Sequence, residues 1–129
     1  IMTNYHISFV QKDNSGEELI LDTLAIKKAA LILRAFNHKL RQQILKLIDT
    51  QEKVTVTEIY VKLRIEQSVA SQHLRILRDV QLVKFQREGK QIYYSINYSR
   101  LHSIQQAAEN ILGPALKKEM PRERLSVAH

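Results

Sequence analysis

Between Val56 and Ile96 the spacing of apolar side chains changes period, and this constrains the fold more than anything else in the 129 residues. Up to Val80, apolar residues recur every three or four positions, as on one face of a helix. From Val83 onward the period is two: Val83, Phe85, Ile92, Tyr94 and Ile96 alternate with polar residues, as in strands. Arg87-Glu88-Gly89-Lys90 separates the two alternating runs and supplies a turn, so this segment is expected to be one β-hairpin with a basic tip. Three glycines and two prolines are too few for an all-β fold or for long linkers. The chain is therefore expected to be mainly α with one β-hairpin.

The helices can be placed by their signals. Thr55-Val56-Thr57-Glu58 has the form of a capping box, with Val54 and Ile59 spaced as a hydrophobic staple, and opens a helix running to about Leu63. After the short connection Arg64–Glu66, a further helix spans about Gln67 to Val80. Its apolar face is Val69, Ala70, Leu74, Leu77 and Val80; Ser68, Ser71, Gln72, Arg75 and Arg78 form a polar stripe opposite. His38–Asp49 is amphipathic, with Leu40, Ile44, Leu47 and Ile48 at helical spacing. Glu17–Phe36 is apolar on more than one side and is expected to be one helix, opened by a Ser15/Glu18 capping box. In so small a domain such a helix suggests a subunit contact. Residues 1–16, with the alternation Tyr5-His6-Ile7-Ser8-Phe9, form either a short strand or a loose arm. Ser99–Leu112 returns to helical spacing and ends at Gly113-Pro114. The expected organisation is an arm (1–16), one winged domain (17–112) and a charged tail (113–129).

Composition narrows the function. With no cysteine, disulfides, thiolate metal sites and cysteine nucleophiles are excluded. No apolar run approaches the roughly 18 residues a membrane helix needs. Ile1–Val10 lacks the basic start and apolar core of a secretory signal, Met2 is the expected native start, and a cytoplasmic location is expected. No glycine-rich phosphate loop, nucleophile elbow or metal-ligand pair marks an enzyme. The net charge is +7, and residues 34–100 hold all of it, with thirteen Lys/Arg against six Asp/Glu. A basic segment of this kind suits a polyanion, because each neutralised phosphate releases counterions.

A helix, a tight turn and a polar-striped second helix make the helix-turn-helix pattern, whose second helix enters the DNA major groove, and the basic hairpin after it is a wing. Ser71 and Gln72 are candidates to read base edges, Gln72 favouring adenine. Arg75 suits guanine or phosphate, and Arg87 and Lys90 on the wing suit the backbone. Ser68 and Arg78 complete the stripe. The alternative is a winged-helix module that binds protein or RNA.

Residues 35–96 resemble the ArsR/SmtB family of winged helix-turn-helix repressors. The similarity is carried by Ala35-Phe36-Asn37-His38, Arg41-Gln42-Gln43-Ile44-Leu45, Val56-Thr57-Glu58-Ile59, Gln67 to Arg78, Leu82-Val83, Arg87-Glu88-Gly89-Lys90 and Tyr93-Tyr94. The resemblance implies a homodimer on a near-palindromic operator. It implies DNA contacts by Ser71, Gln72 and His73, and Arg41 near the DNA backbone. The first and last helices would pack across the dimer, and their own apolar faces offer Leu24, Ala25, Ile32, Leu101, Ile104, Ala107, Ala108 and Ile111 for that contact. Lys39, Arg64, Glu66 and Gln81 depart from the family pattern; Gln81 stands where glycine usually ends the reading helix. The family's metal positions hold Lys53–Thr57 in one site and Tyr98, Arg100, Ile111 and Pro114 in another, and His102 has no ligand one turn on. No metal and no cofactor are expected.

Overall fold

The computed structural model describes residues 4–119. In chain order it contains β1 (His6–Val10), β2 (Glu18–Asp22), α1 (Thr23–Phe36), α2 (Lys39–Gln51), α3 (Val56–Leu63), α4 (Gln67–Asp79), β3 (Val83–Glu88), β4 (Gln91–Ile96) and α5 (Tyr98–Glu119). From α1 onward this is the expected winged helix-turn-helix order.

The amino-terminal part corrects two expectations. Among the described residues there are two hairpins rather than one, and residues 18–22 are a strand rather than the first turns of a helix. β1 and β2 pair antiparallel with Ile7 opposite Leu21 and Phe9 opposite Leu19. The boundary expected after residue 16 thus falls inside a hairpin turn, where Gly16 takes a positive φ of 60°. Ser15 caps no helix; its hydroxyl bonds Asp13 within that turn, and Glu18 accepts from the Ser8 hydroxyl across the strands. Asp22 is the true cap, accepting from the Ala25 N–H at 3.0 Å.

The core gathers one face of each remaining helix. Ile44 and Ile48 of α2, Ile59 of α3, and Ala70, Leu74 and Leu77 of α4 are buried, closed from the wing side by Leu82, Val83 and Ile96. The capping box at Thr55 forms as expected, with Glu58 returning to the cap backbone. Val54, just before it, is fully buried and pairs with Tyr94 through two backbone hydrogen bonds of 3.0 and 2.7 Å. This isolated bridge extends the edge of the β3–β4 sheet and ties the wing to the entry of α3.

Helix ends follow local chemistry. Arg64 closes α3 in the left-handed region (φ 56°, ψ 47°), and the Ile65 N–H returns to the Tyr60 carbonyl. α5 starts beside Asn97, whose side chain bonds the Gln81 carbonyl at 2.8 Å. Gly113 breaks α5 (φ 66°, ψ 168°), as its Gly-Pro pair suggested, although helical backbone resumes to Glu119. Of the expected tail, residues 120–129 lie outside the described residues.

Gln81 stands at φ 59°, a conformation that penalises a residue with a Cβ. Gln81→Gly is expected to raise unfolding stability by about 0.5–1 kcal/mol in denaturant titration, net of the exposed hydrogen bond it gives up to Arg100. A loss of stability would show that this side-chain bond outweighs the backbone strain.

Candidate nucleic-acid interface

Burial of one face of α4 decides what its other face presents. Ala70, Leu74 and Leu77 point into the core, while Ser68, Ser71, Gln72, Arg75 and Arg78 are all exposed. The expected polar stripe is therefore a solvent-facing surface. Glu66, the cap residue of α4, makes no side-chain cap bond, so the first N–H groups of the helix have no capping acceptor. Exposed donors at a positive helix end favour an anion in front of them.

The wing is joined to this surface. The Arg78 guanidinium lies 3.8 Å from the centre of the Phe85 ring. Phe85, in the same alternating run as the buried Val83, is 51% exposed. Its ring forms a platform for Arg78, so α4 and β3 are held together at the surface. Arg87 and Lys90 are exposed at the far end of the hairpin, flanking the turn at Gly89, which has a φ of 64°. Glu88, between them, accepts from Lys53 at 2.9 Å, and the Lys53 ammonium also lies 4.8 Å from the Tyr93 ring. The wing's one acidic group is thus paired with a base from the α2–α3 connection.

Arg41 is where the structure departs most from expectation. Its side chain is not at the surface but only 9% exposed. Its Nε donates to the Ala35 carbonyl at 2.6 Å, and a terminal nitrogen donates to the Arg34 carbonyl at 3.4 Å. The other terminal nitrogen sits 3.2 Å from Nδ1 of His73. A long basic side chain in an amphipathic helix is ordinarily exposed. Here the last carbonyls of α1 supply the acceptors that make burial tolerable. Arg41 therefore ties α1, α2 and α4 together instead of reaching outward. His38, which caps α2 through Nδ1, lies with its ring 4.9 Å from that of His73. Neither the burial of Arg41 nor the pairing of the two histidines was legible in the sequence. The nearest signal was His38 in a cap position three residues before Arg41.

The expected dimer residues divide. Leu101 and Ile104 pack partly against the chain's own core. Ile32, Ile104, Ala107 and Ile111 line an apolar groove of about 210 Å³ between α1 and α5, together with Ala29, Leu33, Arg100 and Ser103. Ala25 and Ile111 are exposed, and Leu24 and Ala108 are half-buried. Among the described residues, no three His, Asp or Glu side chains come together as a metal cluster. Among the same residues, no helix is long and apolar enough to cross a membrane.

Residues 38–84 match the profile of the family described as bacterial regulatory protein, arsR family. The chain is 31% identical over 84 residues to the transcriptional repressor PagR of Bacillus anthracis, covering 65% of this chain and 84% of that protein. It is 30% identical over 88 residues to the HTH-type transcriptional regulator YgaV of Escherichia coli (strain K12), covering 68% and 89% respectively. The solved structure of NolR from Sinorhizobium fredii superposes with a TM-score of 0.56 at 33% identity, over 70% of this chain and 89% of that one.

Burial holds the protonation of His73 below the usual 6.5, helped by its basic neighbours His38 and Arg41, which resist a second positive charge beside them. Burial, then Arg41, does the same for His38. The unfolded chain therefore takes up protons near the ordinary histidine range while the folded chain still resists them. Stability is complete above that range and is lost as the pH falls below it. The urea midpoint is expected to fall between about pH 7.5 and about pH 5.5, and to fall less in His73→Gln. Equal falls in both proteins would show that His73 does not contribute.

Proposed function

The chain belongs to the arsR family of bacterial regulatory proteins, and from that premise we propose that it is a homodimeric repressor that reads a near-palindromic operator with α4. The observation that carries this reading is the exposed stripe of Ser68, Ser71, Gln72, Arg75 and Arg78 on a helix whose opposite face is fully used by the core. A major groove about 12 Å wide admits one such helix. Ser71 and Gln72 meet base edges and Arg75 meets guanine or phosphate. Arg87 and Lys90 follow the backbone beside the groove. Arg41 acts from within by positioning α4. A protein- or RNA-binding role is not favoured, because the free face of α4 is polar and a basic wing tip flanks it.

The dimer reading rests on the groove between α1 and α5. Exposed or half-exposed apolar residues continue along both helices, including Ile26 and Leu31 at 52% and 51% and Ile111 at 71% exposure. A second copy laid along this groove buries them and sets two reading helices about 34 Å apart on one face of the duplex. With no thiols and no expected ligands on α5, DNA binding proceeds without metal, in the cytoplasm.

Two sets of variants test this. Gln72→Ala and Arg75→Ala are expected to relax base preference at defined positions, at about 1–3 kcal/mol for each bidentate hydrogen-bonded pair that the substitution removes. Lys90→Ala is expected to weaken all sequences alike and to reduce the dependence of affinity on salt by about one phosphate's worth. Unchanged site preference in Gln72→Ala would refute the placement of α4 in the groove. Ala107→Glu puts a charge into the α1–α5 groove, and sedimentation is expected to show a monomer with weakened DNA binding. A dimer with full affinity would move the seam elsewhere.

A further inference from the structure

His73 sits on the DNA-facing helix, yet one of its ring nitrogens is already engaged from inside. Arg41 approaches Nδ1 at 3.2 Å. A guanidinium carries only donors and stays protonated in proteins, so the atom facing it must be an acceptor. Nδ1 therefore holds a lone pair, and the ring proton resides on Nε2. Arg41 cannot swing away to permit the other tautomer without cost. Its Nε is bonded to the Ala35 carbonyl at 2.6 Å, and the side chain is 9% exposed. Protonation of Nδ1 would place an N–H against a guanidinium N–H, a clash of two donors in a partly buried place.

The groups facing His73 all act in the same direction. From α2 come Arg41 and, at its cap, His38, whose ring is 4.9 Å away and tilted by 45°. His38 accepts the Arg41 backbone N–H through its own Nδ1, so it too is neutral with its proton on Nε2. On α1 the Arg34 and Ala35 carbonyls accept from Arg41 and hold it in place. Burial and these two basic neighbours depress the histidine's basicity, and no carboxylate contributes to the shift.

We infer that Arg41 is a positioning residue for DNA recognition: it fixes His73 as the neutral Nε2–H tautomer, so that His73 meets an acceptor on the duplex as an uncharged donor. This rests on the assignment of α4 as the reading helix. An uncharged donor displaces no counterion, so the contact adds affinity without steepening the dependence on salt. A glutamine at this place can reproduce the arrangement, its carbonyl accepting from Arg41 and its amide donating outward.

The test begins without DNA. In the 15N-histidine-labelled full chain at about pH 7.5, long-range 1H–15N correlations report which ring nitrogen carries the proton. The expected spectrum has His73 with a bare Nδ1 and a protonated Nε2. In Arg41→Lys, which keeps the charge but loses the fork, His73 is expected to become a mixture of tautomers. A His73 with its proton on Nδ1, or with both nitrogens protonated, overturns the inference. So does an unchanged spectrum in Arg41→Lys. If Arg41→Lys does not fold, the comparison of His73→Gln with His73→Leu replaces it. His73→Gln is expected to hold DNA affinity within about threefold, and His73→Leu to lose about tenfold, with the same salt dependence in both. Equal losses overturn the inference. A wild-type chain that shows the expected tautomer yet binds no duplex refutes the regulator reading and leaves the tautomer assignment standing.

Discussion

Three side chains on one face of α4 fix the orientation on which the rest depends. Ala70, Leu74 and Leu77 are at most 1% exposed and lock into the faces of α2, α3 and the wing. Once that stripe is buried, helical geometry leaves the opposite stripe no choice but to face solvent. Ala70 is small enough to let α3 approach. A cavity at Leu74 or Leu77 would cost about 2–5 kcal/mol, a large share of a typical total near 5–15 kcal/mol. The exposed face is thus as well determined as the core itself.

Around that anchor, polar contacts set the finer placement. Arg41 draws the end of α1, the first turn of α2 and His73 into one cluster. Arg78 on Phe85 holds the carboxyl end of α4 against β3. Lys53 and Glu88 hold the wing tip to the α2–α3 connection, and the Tyr98 hydroxyl donates to Asp49 at 2.5 Å, seating the start of α5 on α2. The last two contacts are exposed and each adds little stability alone. Their effect is directional: Lys53–Glu88 holds the wing tip toward the α2–α3 connection, and Tyr98–Asp49 holds α5 against α2.

Much of this was legible from periodicity and capping. The switch from a helical to an alternating pattern located the wing, and Thr55 with Glu58 located the start of α3. The start of α1 was not legible. Leu19 and Leu21 run directly into Leu24 without a glycine or proline between, so a strand and a helix read as one apolar segment. Asp22 was the missed signal, a good cap hidden in an apolar run. Arg41 was misread for a different reason. A single sequence shows that a residue is charged, but not that two carbonyls at the end of a neighbouring helix await it. The exposure of the polar stripe on α4 was legible because it follows from the buried face alone.

Selection of bound duplexes from a random DNA pool, using the full chain at moderate salt, reads out the symmetry of the protein on DNA. An enriched two-fold symmetric site is expected, with half-sites spaced by about one helical turn or a multiple of it. Recovery of no preferred sequence, or of a single asymmetric element, would contradict a dimer reading DNA through α4.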